Sequence, residues 1–252
     1  MKRLGIFFYT AVAYVGFFAV FGYWIDFLLG FFVPKNVNTG EVVSTLEAIT
    51  VNLGLLALFG LQHSVMARKP FKKALTRFIP PVMERSTYVY ATIAVLALLF
   101  WQWRPMPLVI WNLEGTAGIY SMYAIFGLGW GILVLSTFLI NHFNLFGIEQ
   151  GVMHLLGKEV KEAPFVMPFL YKLVRHPMMT GILLAQWATP YMTIGHLLFA
   201  TGMSIYVLIG VHYEEKDLAR DFGDDYREYQ QNVPKLIPGL NGKKPTGSTV
   251  SA

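Results

Sequence analysis

Two short motifs bracket the longest charge-free stretch of this chain, Arg175-His176-Pro177 at one end and Glu214-Glu215 at the other. Proline at a first helical position leaves the following amides, around Met178 to Gly181, without intrahelical partners at the partly positive end of the helix. That end suits a carboxylate or a phosphate. Two adjacent acids where a helix closes reinforce its partly negative terminus and suit an amine, a sulfonium or a pair of ribose hydroxyls. The plainer alternative is that Arg175 anchors a helix at an interface, His176 caps it, and Glu214 and Glu215 begin a solvated tail.

For the two motifs to meet, the chain must reverse between them. From His176 to Tyr213 there are 38 residues without Asp, Glu, Lys or Arg. As one helix they would measure about 57 Å at 1.5 Å per residue, well beyond a hydrocarbon core of about 30 Å. Pro190-Tyr191-Met192-Thr193-Ile194-Gly195 interrupts the stretch near its middle, so it is expected to form a tight helical hairpin with both ends on one face.

The rest of the chain supplies further spans. Apolar runs cover Leu4 to Val33, Ile49 to Met66, Ser86 to Trp103 and Thr116 to Ile140, each near the roughly 20 residues a membrane-crossing helix needs. The composition agrees: 252 residues, 55% hydrophobic and 14% charged, with a mean hydropathy of +0.49. A soluble domain needs about a quarter charged residues, so a soluble enzyme, a disordered chain and a disulfide scaffold are excluded. The expected fold is an all-α integral membrane protein of five to six transmembrane helices, the last two a hairpin, with interfacial helices and a C-terminal tail helix. One domain accounts for it: helical spans over 1–140, a ligand-binding region over 141–238 and a disordered tail over 239–252.

Charge position gives the topology. Of the 20 Lys and Arg, 18 fall in residues 1–3, 67–85, 141–175 and 214–252, leaving Lys35 and Arg104 opposite. The positive-inside rule then places both termini in the cytoplasm, with anionic lipid headgroups as partners. The basic residues are split among separate segments, which argues against nucleic acid. Cysteine is absent and the six histidines include no i, i+4 pair, so thiolate and helical metal sites are not expected.

Other polar residues lie at the same level as the bracket. His63 closes the second run, beside Gln62 and Ser64, as a base, a positioning group or a satisfied interfacial histidine. Asn141 and His142 end the fourth run. Glu84, Arg85 and Tyr88 begin the third, where Glu84 and Arg85 would serve equally as interface anchors. Asp26, at the opposite level, reads as structural or solvent-exposed. A non-enzymatic haem or quinone carrier using His63, His176 and His212 is the alternative from another class.

Around the bracket the chain resembles a known group. Arg175-His176-Pro177, Glu214-Glu215, Gly223, Tyr226, Tyr229 and Val233-Pro234 follow the pattern of the isoprenylcysteine carboxyl methyltransferase-like, NnrU-related superfamily of membrane methyltransferases. Leu61 to Arg68, Glu84 to Tyr88 and Ile140 to Gly147 are similar to its bacterial methanethiol S-methyltransferase branch. The resemblance implies methylation of methanethiol to dimethyl sulfide with S-adenosylmethionine, in the bacterial inner membrane. It implies a cofactor pocket of Tyr171, Arg175, His176, Pro177 and Glu214 or Glu215, with Gln150, Phe165 and Val166 as weaker candidates. It leaves His63, His142 and Tyr88 to serve the thiol. Much of the superfamily carries Tyr two residues after the proline, where this chain has Met179. Acceptors other than methanethiol, such as a larger thiol, a prenylcysteine carboxylate or a phospholipid amine, are the alternative within the class.

Overall fold

A computed structural model describes residues 2–160 and 166–240. The chain is an all-α integral membrane protein with five helices long and apolar enough to cross a membrane. They are α1 (Lys2–Leu29), α2 (Thr45–Ala67), α4 (Glu84–Gln102), α5 (Thr116–Ile140) and α9 (Ile194–Asn232). Short helices α3 (Lys69–Leu75), α6 (His142–Leu145), α7 (Ile148–Leu155) and α8 (Pro177–Trp187) join them, with two brief strands, β1 (Val109–Asn112) and β2 (Tyr191–Thr193). Apolar side chains face outward as well as inward: Phe8, Val15, Leu128 and Leu208 are exposed around the bundle, as lipid-facing positions must be. Inside, Trp24, Phe27, Phe100, Trp103, Trp130 and Phe199 form an aromatic core.

Two features of the last hairpin differ from the sequence reading. Its first arm, α8, has only 11 residues and measures about 16 Å, so the extended segment through β2 completes the crossing. The arm is pressed onto α5: a Cβ on Gly129 would stand 2.7 Å from the Gly181 carbonyl oxygen, and one on Gly181 would stand 2.5 Å from that of Gly129. Small residues let the two backbones touch, the usual means of association where lipid removes the hydrophobic drive between helices. The second arm does not stop at Glu214-Glu215. No helix breaker intervenes, and α9 runs on to a kink at Gly223 (φ 58°, ψ −127°) and beyond it to Asn232. Beyond the kink the helix to Asn232 is the expected tail helix, joined to the last span without an intervening loop.

The end without the basic segments is tied by hydrogen bonds between side chains and backbone. Asp26 is buried and structural: its carboxylate accepts the amides of Phe31, Phe32 and Val33 at 3.2, 2.8 and 2.5 Å, turning the chain as α1 ends. The Asn52 side chain donates to the Arg104 carbonyl at 2.8 Å and accepts the Arg104 amide at 2.9 Å. β1 pairs antiparallel with β2, and Thr193 donates to Asn38 at 2.6 Å. At the other end the basic segments gather: Arg68 and Lys69 pair with Asp217 and Asp221 of α9, both at 2.7 Å, and Tyr9 meets Thr87 at 2.9 Å.

Candidate active site

The two bracketing motifs meet at the basic end. Arg175 Nη2 lies 2.6 Å from Glu215 Oε1 and Arg175 Nε donates to the same oxygen at 2.7 Å. Lys235 Nζ reaches the other oxygen at 2.9 Å, and His176 Nε2 stands 3.3 Å from Oε1. Glu215 is thus buried and surrounded by three basic groups. Arg175 also donates to the Gln230 carbonyl at 2.9 Å and to that of Val233, so it caps the closing turn of α9. The backbone completes the clasp: the amides of Arg175 and His176 donate to the carbonyls of Pro234 and Lys235 at 2.9 and 3.1 Å, and Thr180 donates to Leu236 at 2.7 Å. Val233-Pro234 is the strap that holds α8 against α9. Lys235 was not singled out from the sequence, although it directly follows that motif.

Glu214 is placed differently. Its side chain is 49% exposed, and its carboxylate lies 3.6 Å from His176 Nδ1. Its charge also acts on Tyr171, Tyr88 and Tyr206. The free carboxylate of the pair therefore stands at a junction between α4, α8, α9 and the segment before α8. Tyr171 closes one side, donating to the Ser136 carbonyl at 3.4 Å and offering its own carbonyl to the Tyr229 hydroxyl at 2.5 Å. Burial, with the nearby Glu214 and Tyr229, pushes the Tyr171 phenol well above its ordinary range, so it remains a neutral hydrogen-bond donor. Pro177 is buried at the start of α8, and its neighbour His176 makes no side-chain cap to that helix.

Beneath this junction lies a cavity of about 220 Å³. Met178 and Met179, from the first turn of α8, line it together with Arg85, Tyr88, His63, Thr92, Thr137 and Tyr206, while the remaining walls are apolar. Met179, which stands where much of the resembling superfamily has Tyr, makes that wall more apolar. Tyr88 Oη and His63 Nε2 are 2.6 Å apart, and His63 Nδ1 is 3.3 Å from Thr92 Oγ1. Since Thr92 donates its own proton to the Tyr88 carbonyl at 3.0 Å, the bonding fits Nδ1–H donating to Thr92 and Nε2 accepting from Tyr88. Arg85 lies over the Tyr88 ring, 5.9 Å from its centroid, and makes no ion pair among the described residues. Its neighbour Glu84 instead approaches Lys72 at 3.8 Å.

The remaining candidates lie apart. His142 is buried between Tyr14, whose hydroxyl is 2.8 Å from Nε2, and Thr137, whose hydroxyl is 2.7 Å from Nδ1, and it stacks on Phe138 with centroids 4.0 Å apart. Burial lowers its pKa, and its ring does not line the cavity. Gln150, on α7, donates to the Asn144 carbonyl at 3.2 Å, and among the described residues it makes no hydrogen bond to the bracket. Val166 is exposed, and Phe165 falls outside the described residues. Among the described residues no group of three His, Asp or Glu is arranged to hold a metal ion. His212 is exposed and borders neither His63 nor His176.

Comparison with known proteins gives a consistent pattern. A family model described as NnrU protein matches residues 52–237. Methanethiol S-methyltransferase 1 of Bradyrhizobium diazoefficiens is 49% identical over 232 residues, 92% of this chain and 81% of that protein. Methanethiol S-methyltransferase of Mycobacterium tuberculosis is 47% identical over 238 residues, 94% of this chain and 98% of that one. Nurim of Danio rerio is a more distant relative, 26% identical over 198 residues, 74% of this chain and 70% of that protein. No solved structure matches.

Proposed function

The chain belongs to the NnrU family, among the methanethiol S-methyltransferases, and from that premise we propose that it methylates methanethiol with S-adenosylmethionine, releasing dimethyl sulfide. The observation that carries the reading is the stacking of two sites: a polar junction at Glu214, His176 and the open first turn of α8, and directly beneath it an apolar cavity holding Arg85, Tyr88 and His63.

The junction fits a zwitterionic amino acid. The unpartnered amides of Met178 and Met179 at the positive end of α8 suit a carboxylate, and the half-exposed carboxylate of Glu214 suits an ammonium or a sulfonium. Glu215, saturated by Arg175, Lys235 and His176, holds the clasp closed. Tyr171 and Pro177 wall the same space. When bound there, S-adenosylmethionine supplies an electrophilic methyl group on a positively charged sulfur.

The chain's own residues then prepare the acceptor. The thiolate is the competent nucleophile. Arg85, a cation without a carboxylate partner among the described residues and set in an apolar wall, stabilises negative charge on the acceptor sulfur where little water competes. Tyr88 Oη accepts the thiol proton while passing its own to His63 Nε2, and Thr92 fixes the ring that receives it. The apolar walls exclude water and align the acceptor, and alignment accounts for much of the advantage in such a transfer. Loss of charge as thioether forms releases a neutral product into a lipid-facing bundle. The basic end faces the cytoplasm of a bacterial inner membrane, which supplies the cofactor.

Protein purified in detergent, given S-adenosylmethionine and methanethiol, is expected to form dimethyl sulfide and S-adenosylhomocysteine in equal amounts. Absence of dimethyl sulfide from a preparation that binds the cofactor would remove this reading.

A further inference from the structure

The cavity is larger than methanethiol requires, and its extra space is of one kind. On α4, Arg85, Tyr88, Thr92 and Leu96 line it turn after turn, a depth of about 16 Å at 1.5 Å per residue. The polar side chains Arg85, Tyr88 and His63 sit toward the junction. The floor is formed by Phe21, Trp24, Leu96, Leu133, Ile182 and Met203, whose one polar side-chain atom is the Trp24 indole N–H, buried without a partner among the described residues. A cavity of about 150 Å³ lined by apolar side chains takes up benzene, and this one measures about 220 Å³. Methanethiol, with two heavy atoms, would leave the floor empty.

We propose that this enzyme is a methyltransferase for apolar thiols as a class, taking acceptors that carry a linear alkyl chain or a phenyl ring into the floor of the cavity. The proposal rests on the reading of the cavity as the acceptor site. The acceptor sulfur lies at the level of Tyr88 and Arg85 and the tail points toward Leu96 and Met203. The chemistry is unchanged. The acceptor sulfur bonds to the methyl carbon as the methyl–sulfonium bond breaks, that bond's electron pair goes to the departing sulfur, and the thiol proton passes through Tyr88 to His63 and then to water.

Apolar length then helps and polarity hurts. Each methylene buried against the floor adds up to about fourfold to affinity, until the floor is reached. A hydroxyl placed there gives up its water for at most the Trp24 indole N–H, so 2-mercaptoethanol is a poorer acceptor than 1-propanethiol of the same size.

The test compares kcat/KM for methanethiol, 1-propanethiol, 1-hexanethiol, phenylmethanethiol and 2-mercaptoethanol, in wild type and in Leu96→Phe, which fills the floor. The expected result has 1-propanethiol, 1-hexanethiol and phenylmethanethiol at or above methanethiol in wild type. Leu96→Phe then lowers kcat/KM for 1-hexanethiol and phenylmethanethiol at least tenfold relative to that for methanethiol. Methanethiol turned over with the longer thiols a hundredfold poorer would overturn the proposal, as would unchanged 1-hexanethiol activity in Leu96→Phe. Inactivity toward every thiol would overturn the underlying reading as well. Should Leu96→Phe fail to fold, inhibition of the wild type decides: hexyl methyl sulfide is expected to compete with methanethiol at least tenfold more tightly than dimethyl sulfide, and equal or weaker inhibition counts against the proposal.

Discussion

The two ends of the bundle use the same kinds of polar residue to different purpose. At the far end side chains tie the backbone: the Asp26 carboxylate takes three amides, and Asn52 and the Arg104 backbone satisfy one another, while the Gln186 amide and the Trp103 indole are neutral groups buried without a partner among the described residues. At the basic end satisfaction is uneven. Arg175 and Glu215 are saturated, yet Glu214 beside them is half-exposed, and Arg85 reaches the wall of an apolar cavity over the Tyr88 ring with no ion-pair partner among the described residues. A fold gains nothing from an unpaired cation near an apolar cavity, because desolvating a charge is costly without a partner. A cation beside an apolar cavity with no ion-pair partner among the described residues, where the Asp26 carboxylate at the other end takes three amides, marks where a ligand is meant to finish the bonding.

The comparison can be broken by substitution. The largest effect is expected at the clasp: Glu215→Ala leaves Arg175 buried without its counter-charge, and the cost is about 3–5 kcal/mol. Thermal unfolding in detergent should register it, with activity lost as a consequence of the fold. Asp26→Ala at the far end orphans three amides and is expected to cost about 1–3 kcal/mol, while kcat/KM of the folded fraction stays within twofold of wild type. A loss of activity without a loss of stability there would put chemistry at the wrong end. Glu214→Gln is expected to have the smallest effect on the fold, with an unfolding temperature like that of wild type. It should still weaken S-adenosylmethionine binding about tenfold, the scale of one charged hydrogen bond, and titration calorimetry would check it.

Much of this contrast was legible in the sequence, because lipid forces a simple code on a chain. The four apolar runs correspond to α1, α2, α4 and α5, and the charge-free stretch brought Arg175-His176 to Glu214-Glu215 as expected. Hydropathy could not distinguish the two glutamates, since what separates them is Lys235 arriving from a strap 20 residues later. Nor could it show that α8 is short, because extended backbone through β2 is as free of charge as helix. Arg85 read equally as an interface anchor, and only the packing of α4 against α1 and α2 turns it toward the cavity. His142 and His63 looked equivalent, each ending a span, and each has a hydroxyl on both ring nitrogens; the structure separates them by stacking His142 on Phe138 with its ring outside the cavity, while His63 and Tyr88 line it.

Arg85 is where the account is most exposed. The direct measurement is the single-turnover rate of methyl transfer to methanethiol in Arg85→Gln, with cofactor saturating and stability recorded on the same preparation. The account expects a rate lower by about 10²–10³-fold, the scale on which a preorganised donor to developing charge acts, with unfolding unchanged and partial recovery in Arg85→Lys. A wild-type rate in folded Arg85→Gln would contradict it, and would return Arg85 to the role of an anchor at the membrane surface.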